Sequence, residues 1–155
     1  MMGLGLLMFP AMAMAVTPEE FRELVAFDVT IAALAEAAET NPEALLNDPR
    51  VFIVDGVLGS VTIIDSNPET YFVQLELVDG RWHGTERIDV FRVYVLAEGP
   101  EYEALFPARP SPDAGDSVIQ RNERVLIAAR MAEVFEDERG GRYAVLDAQE
   151  LRVVR

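Results

Sequence analysis

The sequence predicts a mainly β protein in which a small antiparallel β-barrel follows one or two N-terminal helices. Residues 51–154 run through short stretches of Val, Ile, Phe and Tyr separated by Gly, Asp and Asn, a pattern typical of antiparallel strands. Residues 17–46 carry two helix-start signals instead. The chain has 155 residues, half of them apolar, which suffices for a single domain with its own core.

The first 15 residues form an uncharged apolar stretch that ends in Ala13-Met14-Ala15. An apolar core of about 7 to 15 residues followed by small residues is the pattern of a secretory signal peptide. We therefore predict a signal peptide over residues 1–15, a secreted or periplasmic location, and no transmembrane segment in the mature chain, because a spanning helix needs about 20 apolar residues. The usual basic start is missing, which suggests a start codon further upstream. The alternative is a buried N-terminal strand or helix interrupted at Pro10.

The N-terminal segment, residues 16–49, is predicted to be helical. Thr17-Pro18-Glu19-Glu20 combines a capping residue, a proline at the first helical position and a capping-box glutamate. Apolar residues at helical spacing follow, with a possible break near Phe27, where helix propensity is low. Asn41-Pro42-Glu43 repeats the cap and the proline, and predicts a short second helix that ends before Asp48-Pro49.

Residues 50–155 are predicted to form the barrel domain. The run Val51–Ile64 is long and contains two glycines, which often mark the bend at which one strand passes between the two sides of a barrel. In Thr70–Val78 apolar residues alternate with a half-polar set. Asp79-Gly80 predicts a hairpin turn into a third strand, Val90–Leu96.

The last part of the barrel domain begins with a connection of about 20 residues that contains a short helix and a Pro-rich loop. The chain then returns through Asp116–Glu136, turns at Gly140-Gly141, and ends in the runs Tyr143–Leu146 and Leu151–Val154. The predicted order is a bent first strand, a three-strand meander, a helical connection and a closing hairpin.

This order resembles an OB-fold barrel over about residues 51–154. Gly115–Val118, Val125–Arg130 and Tyr143–Ala148 look like the last two strands of bacterial envelope OB-fold proteins. The connection between Leu96 and Asp116 departs from the OB pattern, so a different small barrel or an open α+β sheet is the alternative. The resemblance implies a ligand face on the exposed side of the second and third barrel strands.

The candidate binding residues follow from that implied face. They are Phe72, Gln74, Arg92 and Tyr94 on the strands, with Trp82 and His83 in the neighbouring connection. Aromatic rings beside hydrogen-bonding groups are suited to stacking on a sugar or a peptide. The alternative is that the N-terminal helices pack on this half-apolar face and cover it.

Composition excludes several kinds of chemistry. Cysteine and lysine are absent and histidine occurs once, which removes thiolate zinc sites, thiol redox centres, Schiff-base catalysis and a P-loop lysine. No serine lies in a GxSxG nucleophile motif, so His83 has no serine of that kind to activate as a general base. The acidic loops 65–69, 113–116 and 136–141 lack EF-hand spacing. We therefore predict no catalytic residues, no metal ligands and no cofactor.

The formal net charge of −14 opposes the binding of phosphates, so no nucleic-acid partner is predicted. We expect a secreted or periplasmic, non-catalytic OB-like module that binds a protein or an envelope component. Two alternatives remain open: a carboxylate-dependent hydrolase of envelope glycans, and a structural subunit of an envelope assembly. The sequence leaves the oligomeric state unknown.

Overall fold

The computed structural model of the protein describes residues 16–109, 115 and 117–154. Its helices are α1 (Pro18–Leu24), α2 (Ile31–Thr40), α3 (Pro42–Leu46) and α4 (Glu101–Leu105). Its strands are β1 (Val25–Ala26), β2 (Val51–Asp65), β3 (Phe72–His83), β4 (Arg87–Glu98), β5 (Arg124–Glu136) and β6 (Arg142–Val153). The predicted mainly β fold with N-terminal helices is confirmed. No helix among the described residues is long and apolar enough to cross a membrane.

The helices begin where side chains can satisfy their first backbone N–H groups. The N–H of Glu20 donates to Thr17 Oγ1 at 3.2 Å and the N–H of Thr17 donates to Glu20 Oε2 at 2.7 Å, which completes the predicted capping box of α1. Asn41 caps α3, as the sequence predicts. The Thr30 hydroxyl accepts from the N–H of Ala33 and starts α2. The helical pattern is therefore broken between α1 and α2, where β1 pairs in parallel with the start of β2.

Five strands close into a barrel because β2 pairs on both sides. The sheet order is β1-β2-β3-β4-β6-β5, and β2 also pairs with β5. Val57 stands at the crossover, since it is in register with Arg124 of β5 and with Val78 of β3. A register shift between Leu58 and Ser60 places a bulge at Gly59. The predicted bend at the glycines is confirmed, and the sheet is closed and OB-like.

The β4–β6 pairing is parallel, unlike the other pairings of the five barrel strands. It puts β6 between β4 and β5, with Tyr94 opposite Val145. This single parallel contact seals the barrel on the side away from β2.

Helices close both ends of the barrel. The interior is filled by alternate strand residues that are fully buried, among them Val54, Val73, Leu75, Leu77, Val93, Val95, Ile127 and Leu146. At the end of β4, α4 buries Tyr102, and the nearby Tyr71 hydroxyl donates to the carbonyl of Phe106 at 2.6 Å. At the opposite end α2 buries Ile31, Leu34 and Ala38 in the same core. The described helices therefore occupy the barrel ends and do not cover the outer face of β3 and β4.

The predicted hairpin turn at Asp79-Gly80 is wrong. Strand β3 continues to His83, Gly80 is in register with Val90, and the turn lies at residues 84–86 with Gly84 at a φ of 66°. Gly80 instead leaves room for the side chain of Ile88 on the neighbouring strand, since a β-carbon at Gly80 would lie 2.7 Å from Ile88 Cδ1. The predicted connection that holds Trp82 and His83 is consequently part of β3.

Some sequence predictions lie outside the described residues. These are the signal peptide at residues 1–15, Pro110 to Pro112 of the Pro-rich loop, and the acidic run 113–116 apart from Gly115.

The junction of α2 with the barrel is tight at Gly56 and gives a test of the fold. A β-carbon there would overlap Cδ1 of Ile31. We expect Gly56→Ala to lower the free energy of unfolding by about 1–3 kcal/mol through overpacking. Ile31→Val removes the overlapping atom, so the double variant should be less destabilised than the sum of the two single variants in urea unfolding. Simple additivity would contradict the contact.

Candidate ligand-binding face of the barrel

The outer surface of β3, β4, β6 and β5 forms a continuous shallow groove. Alternate residues of these strands point away from the core, and neighbouring strands bring them side by side. A depression of about 210 Å³ is lined by Gln74, Tyr94, Leu96, Glu133, Phe135 and Val145. A second depression of about 400 Å³ adjoins it and is lined by Arg92, Tyr94, Phe135, Asp137, Glu138, Arg139 and Tyr143. We call the residues Gln74, Arg92, Tyr94, Phe135, Arg139 and Tyr143 the aromatic face.

Three rings form the centre of the aromatic face. The Tyr94 and Tyr143 ring centroids are 5.7 Å apart with an interplanar angle of 71°, an edge-to-face arrangement. Phe135 is in register with Tyr143 across the β5–β6 hairpin and is 49% exposed. The strands thus hold three aromatic side chains on one surface that solvent reaches.

The carboxylate of Asp137 fixes the β5–β6 hairpin beside these rings. It accepts the backbone N–H groups of Arg139 and Gly141, each at 2.9 Å, and the hydroxyl of Tyr143 at 3.2 Å. The two backbone hydrogen bonds, ahead of the Tyr143 hydroxyl, lower the pKa of Asp137, while the bond to Asp137 raises the pKa of Tyr143. The turn is completed by Gly140 at a φ of 84°. Tyr143 is consequently held at both ends, its ring by the contact with Tyr94 and its hydroxyl by the hydrogen bond to Asp137.

Arginines and carboxylates surround the rings. Arg92 Nη1 lies 3.5 Å from Glu76 Oε1, and the Ser60 hydroxyl donates to Glu76 Oε2 at 2.9 Å. Arg139 lines the same depression as Arg92. Both arginines can offer guanidinium N–H groups to an anionic oxygen. Glu76, in contrast, is already engaged by Ser60 and Arg92.

Helix α2 bounds the groove at one end. A depression of about 490 Å³ lies between α2 and the starts of β4 and β6, and it shares Arg92 and Tyr143 with the aromatic face. The N–H of Arg142 donates to Glu39 Oε1 at 2.9 Å, which attaches α2 to β6. Arg81 lies over the Phe91 ring, 5.0 Å from its centroid. The N-terminal segment therefore supplies one wall of the groove.

The structure brings together three of the six predicted binding residues. Gln74, Arg92 and Tyr94 lie in the groove. Phe72 lies on the same outer face but outside the lining of the depressions, opposite Glu98 at the start of β3. Trp82 and His83 stand near the tip of the β3–β4 hairpin, four and five residues along the strand from the position opposite Arg92, or about 13 Å and more.

His83 is engaged within the hairpin. Its Nε2 lies 2.6 Å from Asp89 Oδ2. Trp82 is in register with Ile88 and is 66% exposed. Neither residue contributes to the groove.

Sequence reasoning missed Phe135, Arg139 and Tyr143. The sequence marks the hairpin 136–141 only as an acidic loop with a glycine turn, although an aromatic residue, Phe135 or Tyr143, lies just outside it on each side. The OB order that the sequence resembles also places the last strand beside the third barrel strand, which would have set Tyr143 next to Tyr94.

Within residues 16–109, 115 and 117–154, no three His, Cys, Asp or Glu side chains gather into a group that could hold a metal ion. The acidic loops use their carboxylates locally. Asp65 accepts the N–H of Asn67 at 2.9 Å and the hydroxyl of Thr70 at 2.7 Å.

Comparison with known proteins gives structural likenesses alone. No protein-family model matches the chain, and no curated protein matches it. PriB from Ralstonia solanacearum is similar at 11% identity and a TM-score of 0.42, covering 68% of this chain and 97% of its own. Rim1, a mitochondrial single-stranded DNA-binding protein from S. cerevisiae, is similar at 14% identity and a TM-score of 0.41, covering 68% and 94%. A small single-stranded DNA-binding protein from Streptomyces coelicolor has 14% identity and a TM-score of 0.42, covering 67% and 93%.

These comparisons correct four predictions. The exclusion of nucleic acid is wrong, because the barrel resembles structures named as single-stranded DNA-binding proteins, and an acidic net charge is no ground for excluding them. The function as a module for an envelope component is wrong for the same reason. The secreted or periplasmic location and the signal-peptide interpretation are corrected with it, because two of the similar structures are named as single-stranded DNA-binding proteins and one of those as mitochondrial. At these identities the evidence for a function has to come from this chain's own residues.

The hydrogen bonds of Asp137 predict a pH dependence of stability. Its pKa lies below the ordinary 3.8 in the folded chain, so its contribution is complete above the pKa of the unfolded chain and is lost as the pH falls through the lower folded value. We expect Asp137→Asn to be less stable than the wild type at neutral pH, with a difference that shrinks below pH 3.8 in urea unfolding.

Glu138→Gln is the matched control for Asp137→Asn, because it removes a neighbouring charge without touching these hydrogen bonds. It should leave the pH profile close to that of the wild type. An equal effect of both substitutions would show that general charge, and not the Asp137 hydrogen bonds, sets the profile.

Proposed function

We propose that the protein binds a short stretch of single-stranded nucleic acid on the aromatic face. The observation that carries this proposal is the cluster of Tyr94, Tyr143 and Phe135 with Arg92 and Arg139 beside it, on the outer face of an OB-like barrel. OB folds bind oligonucleotides and oligosaccharides on this face and with the loop between their last two strands. Here that loop is the β5–β6 hairpin, which carries Arg139.

Stacking supplies most of the affinity. A base stacked on an aromatic side chain contributes about 1–3 kcal/mol, and every base offers a ring face. Tyr94 and Phe135 each line both depressions of the groove, so successive bases find successive rings. The edge-to-face contact and the Asp137 hydrogen bond hold Tyr143 in one orientation before a ligand arrives, which lowers the entropy lost on binding.

Electrostatic attraction contributes little to the affinity for a nucleic acid. A chain with a net charge of −14 repels a polyanion at long range. At short range Asp137 is engaged by its own turn and Glu76 by Arg92 and Ser60. Glu133 and Glu138 also line the groove, and Arg92 and Arg139 are the cationic groups placed there to meet phosphates. We therefore expect the complex to be held by short-range contacts centred on the rings.

Fluorescence anisotropy with a labelled deoxythymidine oligomer of about 12 nucleotides tests the proposal. We expect Tyr94→Ala and Tyr143→Ala each to weaken binding by roughly tenfold or more, because each removes a stacking ring. Trp82→Ala is the matched control: it removes an exposed aromatic ring outside the groove and should leave the affinity unchanged. Circular dichroism of each variant separates lost binding from lost folding. An equal loss in all three variants would contradict the assignment of the site.

Salt dependence gives an independent check of the stacking mechanism. With Arg92 and Arg139 as the only phosphate contacts, the slope of log K against log salt should be no steeper than about −1.4, or roughly −0.7 for each phosphate. A steeper slope would mean that phosphate contacts elsewhere on the molecule dominate. Binding of a neutral oligosaccharide that depends on Tyr94 and Tyr143, without binding of the oligonucleotide, would overturn the proposed ligand.

A further inference from the structure

The depression between α2 and the barrel continues the aromatic face at one end. Its volume of about 490 Å³ is within the range of small-molecule sites. Tyr143 and Arg92 line both this depression and the groove, while Glu36 and Glu39 line it from α2. We call it the α2 cavity. A base stacked on the Tyr143 ring from this side would have its edge next to α2.

Glu39 is held beside Tyr143 through the backbone. The N–H of Arg142, the residue before Tyr143, donates to Glu39 Oε1 at 2.9 Å. A carboxylate has about four acceptor positions on its two oxygens, so this bond leaves most of them available. The Arg142 guanidinium is used elsewhere, since its Nε lies 3.0 Å from Glu136 Oε2. Within the part of the chain that the structure describes, no arginine forms an ion pair with Glu39. Its carboxylate is therefore placed to accept hydrogen bonds from a ligand.

The helical side of the α2 cavity favours N–H donors over phosphates. Glu39 stands in the last turn of α2, which ends at Thr40. The C-terminal end of a helix carries the negative end of the helix dipole, which adds to the charge of the carboxylate. An ionised carboxylate only accepts hydrogen bonds, so it repels phosphate oxygens and binds N–H groups. The cavity consequently suits the base of a nucleotide and not its phosphate.

We propose that the α2 cavity selects guanine and that Glu39 is the residue that recognises it. Guanine presents its N1–H and N2–H groups side by side on its Watson–Crick edge, and these two donors match the two oxygens of a carboxylate. Adenine and cytosine present one amino group beside an acceptor nitrogen, and thymine presents one N–H between two carbonyl oxygens. The inference rests on the proposed function and deepens it, because it assigns a base preference to one end of the aromatic face.

Fluorescence anisotropy with three labelled oligomers of about 12 nucleotides, at one salt concentration, tests this preference. The first contains only thymine, and the other two carry a single guanine or a single hypoxanthine near the middle. Hypoxanthine stacks like guanine but lacks the N2 amino group. We expect the guanine oligomer to bind about fivefold or more tightly than the thymine oligomer, because a bidentate pair discriminates by at least that factor. The hypoxanthine oligomer should lose most of this gain.

Glu39→Gln should bring the affinity for the guanine oligomer down to that for the thymine oligomer. The amide keeps an oxygen for the N–H of Arg142 and sets an NH2 group against the donors of guanine. Binding of the thymine oligomer should not weaken.

Glu36→Gln is the matched control for Glu39→Gln. It removes the same charge from the same cavity, but Glu36 is paired with Arg81, whose Nη1 lies 3.5 Å from Glu36 Oε1. We expect this variant to keep the preference for guanine. Circular dichroism confirms that each variant is folded.

Four results would overturn the inference. Equal affinity of the wild type for the three oligomers, with thymine binding still dependent on Tyr94, would refute guanine selection and leave the proposed function intact. A preference that survives in Glu39→Gln would come from stacking or from another group. A preference that both variants lose equally would come from general charge. If none of the oligomers binds, the proposed function fails and this inference fails with it.

Discussion

The structure depends on the closure of the barrel, and closure depends on one strand that pairs on both sides. Strand β2 leaves β5 and joins β3 at Val57, next to the bulge at Gly59. Once β2 is shared, β6 has to lie between β5 and β4, where it pairs in parallel with β4. That placement sets Tyr143 beside Tyr94 and Phe135 opposite Tyr143. The aromatic face is thus a consequence of the closure: residues about 50 positions apart in sequence meet because the sheet has no free edge there.

The sequence predicts the features that depend on local patterns, and it misses those that depend on which strands pair. The capping box at Thr17, the bend at the glycines of β2 and the inward alternation of β3 all follow from spacing within a few residues, and the structure has each of them. Asp79-Gly80 is a strong local turn signal, but strand pairing overrides it: Gly80 lies within β3 opposite Val90, and the missing side chain leaves room for Ile88. Arg139 and Tyr143 could not be placed on the face without knowing which strand lies next to β4. The division into residues 16–49 and 50–155 remains a prediction.

Net charge is a poor guide to what this surface binds. A charge of −14 describes the whole molecule and controls its long-range repulsion. Binding at the aromatic face depends on the few groups within reach of a ligand, and there the carboxylates of Glu76 and Asp137 have partners within the fold. An acidic chain can therefore present rings and two guanidinium groups on one surface, where two of the neighbouring carboxylates are engaged within the fold. Association with a nucleic acid should be slow as a result, since the net negative charge attracts no phosphate from a distance.

The aromatic face is held in a fixed shape by the fold itself. Its rings stand on strands of a closed barrel, and Tyr143 is fixed further by the hairpin that Asp137 organises. A surface that is ordered before it meets a ligand loses little conformational entropy on binding. The same closure that brings the rings together therefore also makes them suited to selective contact with flat groups.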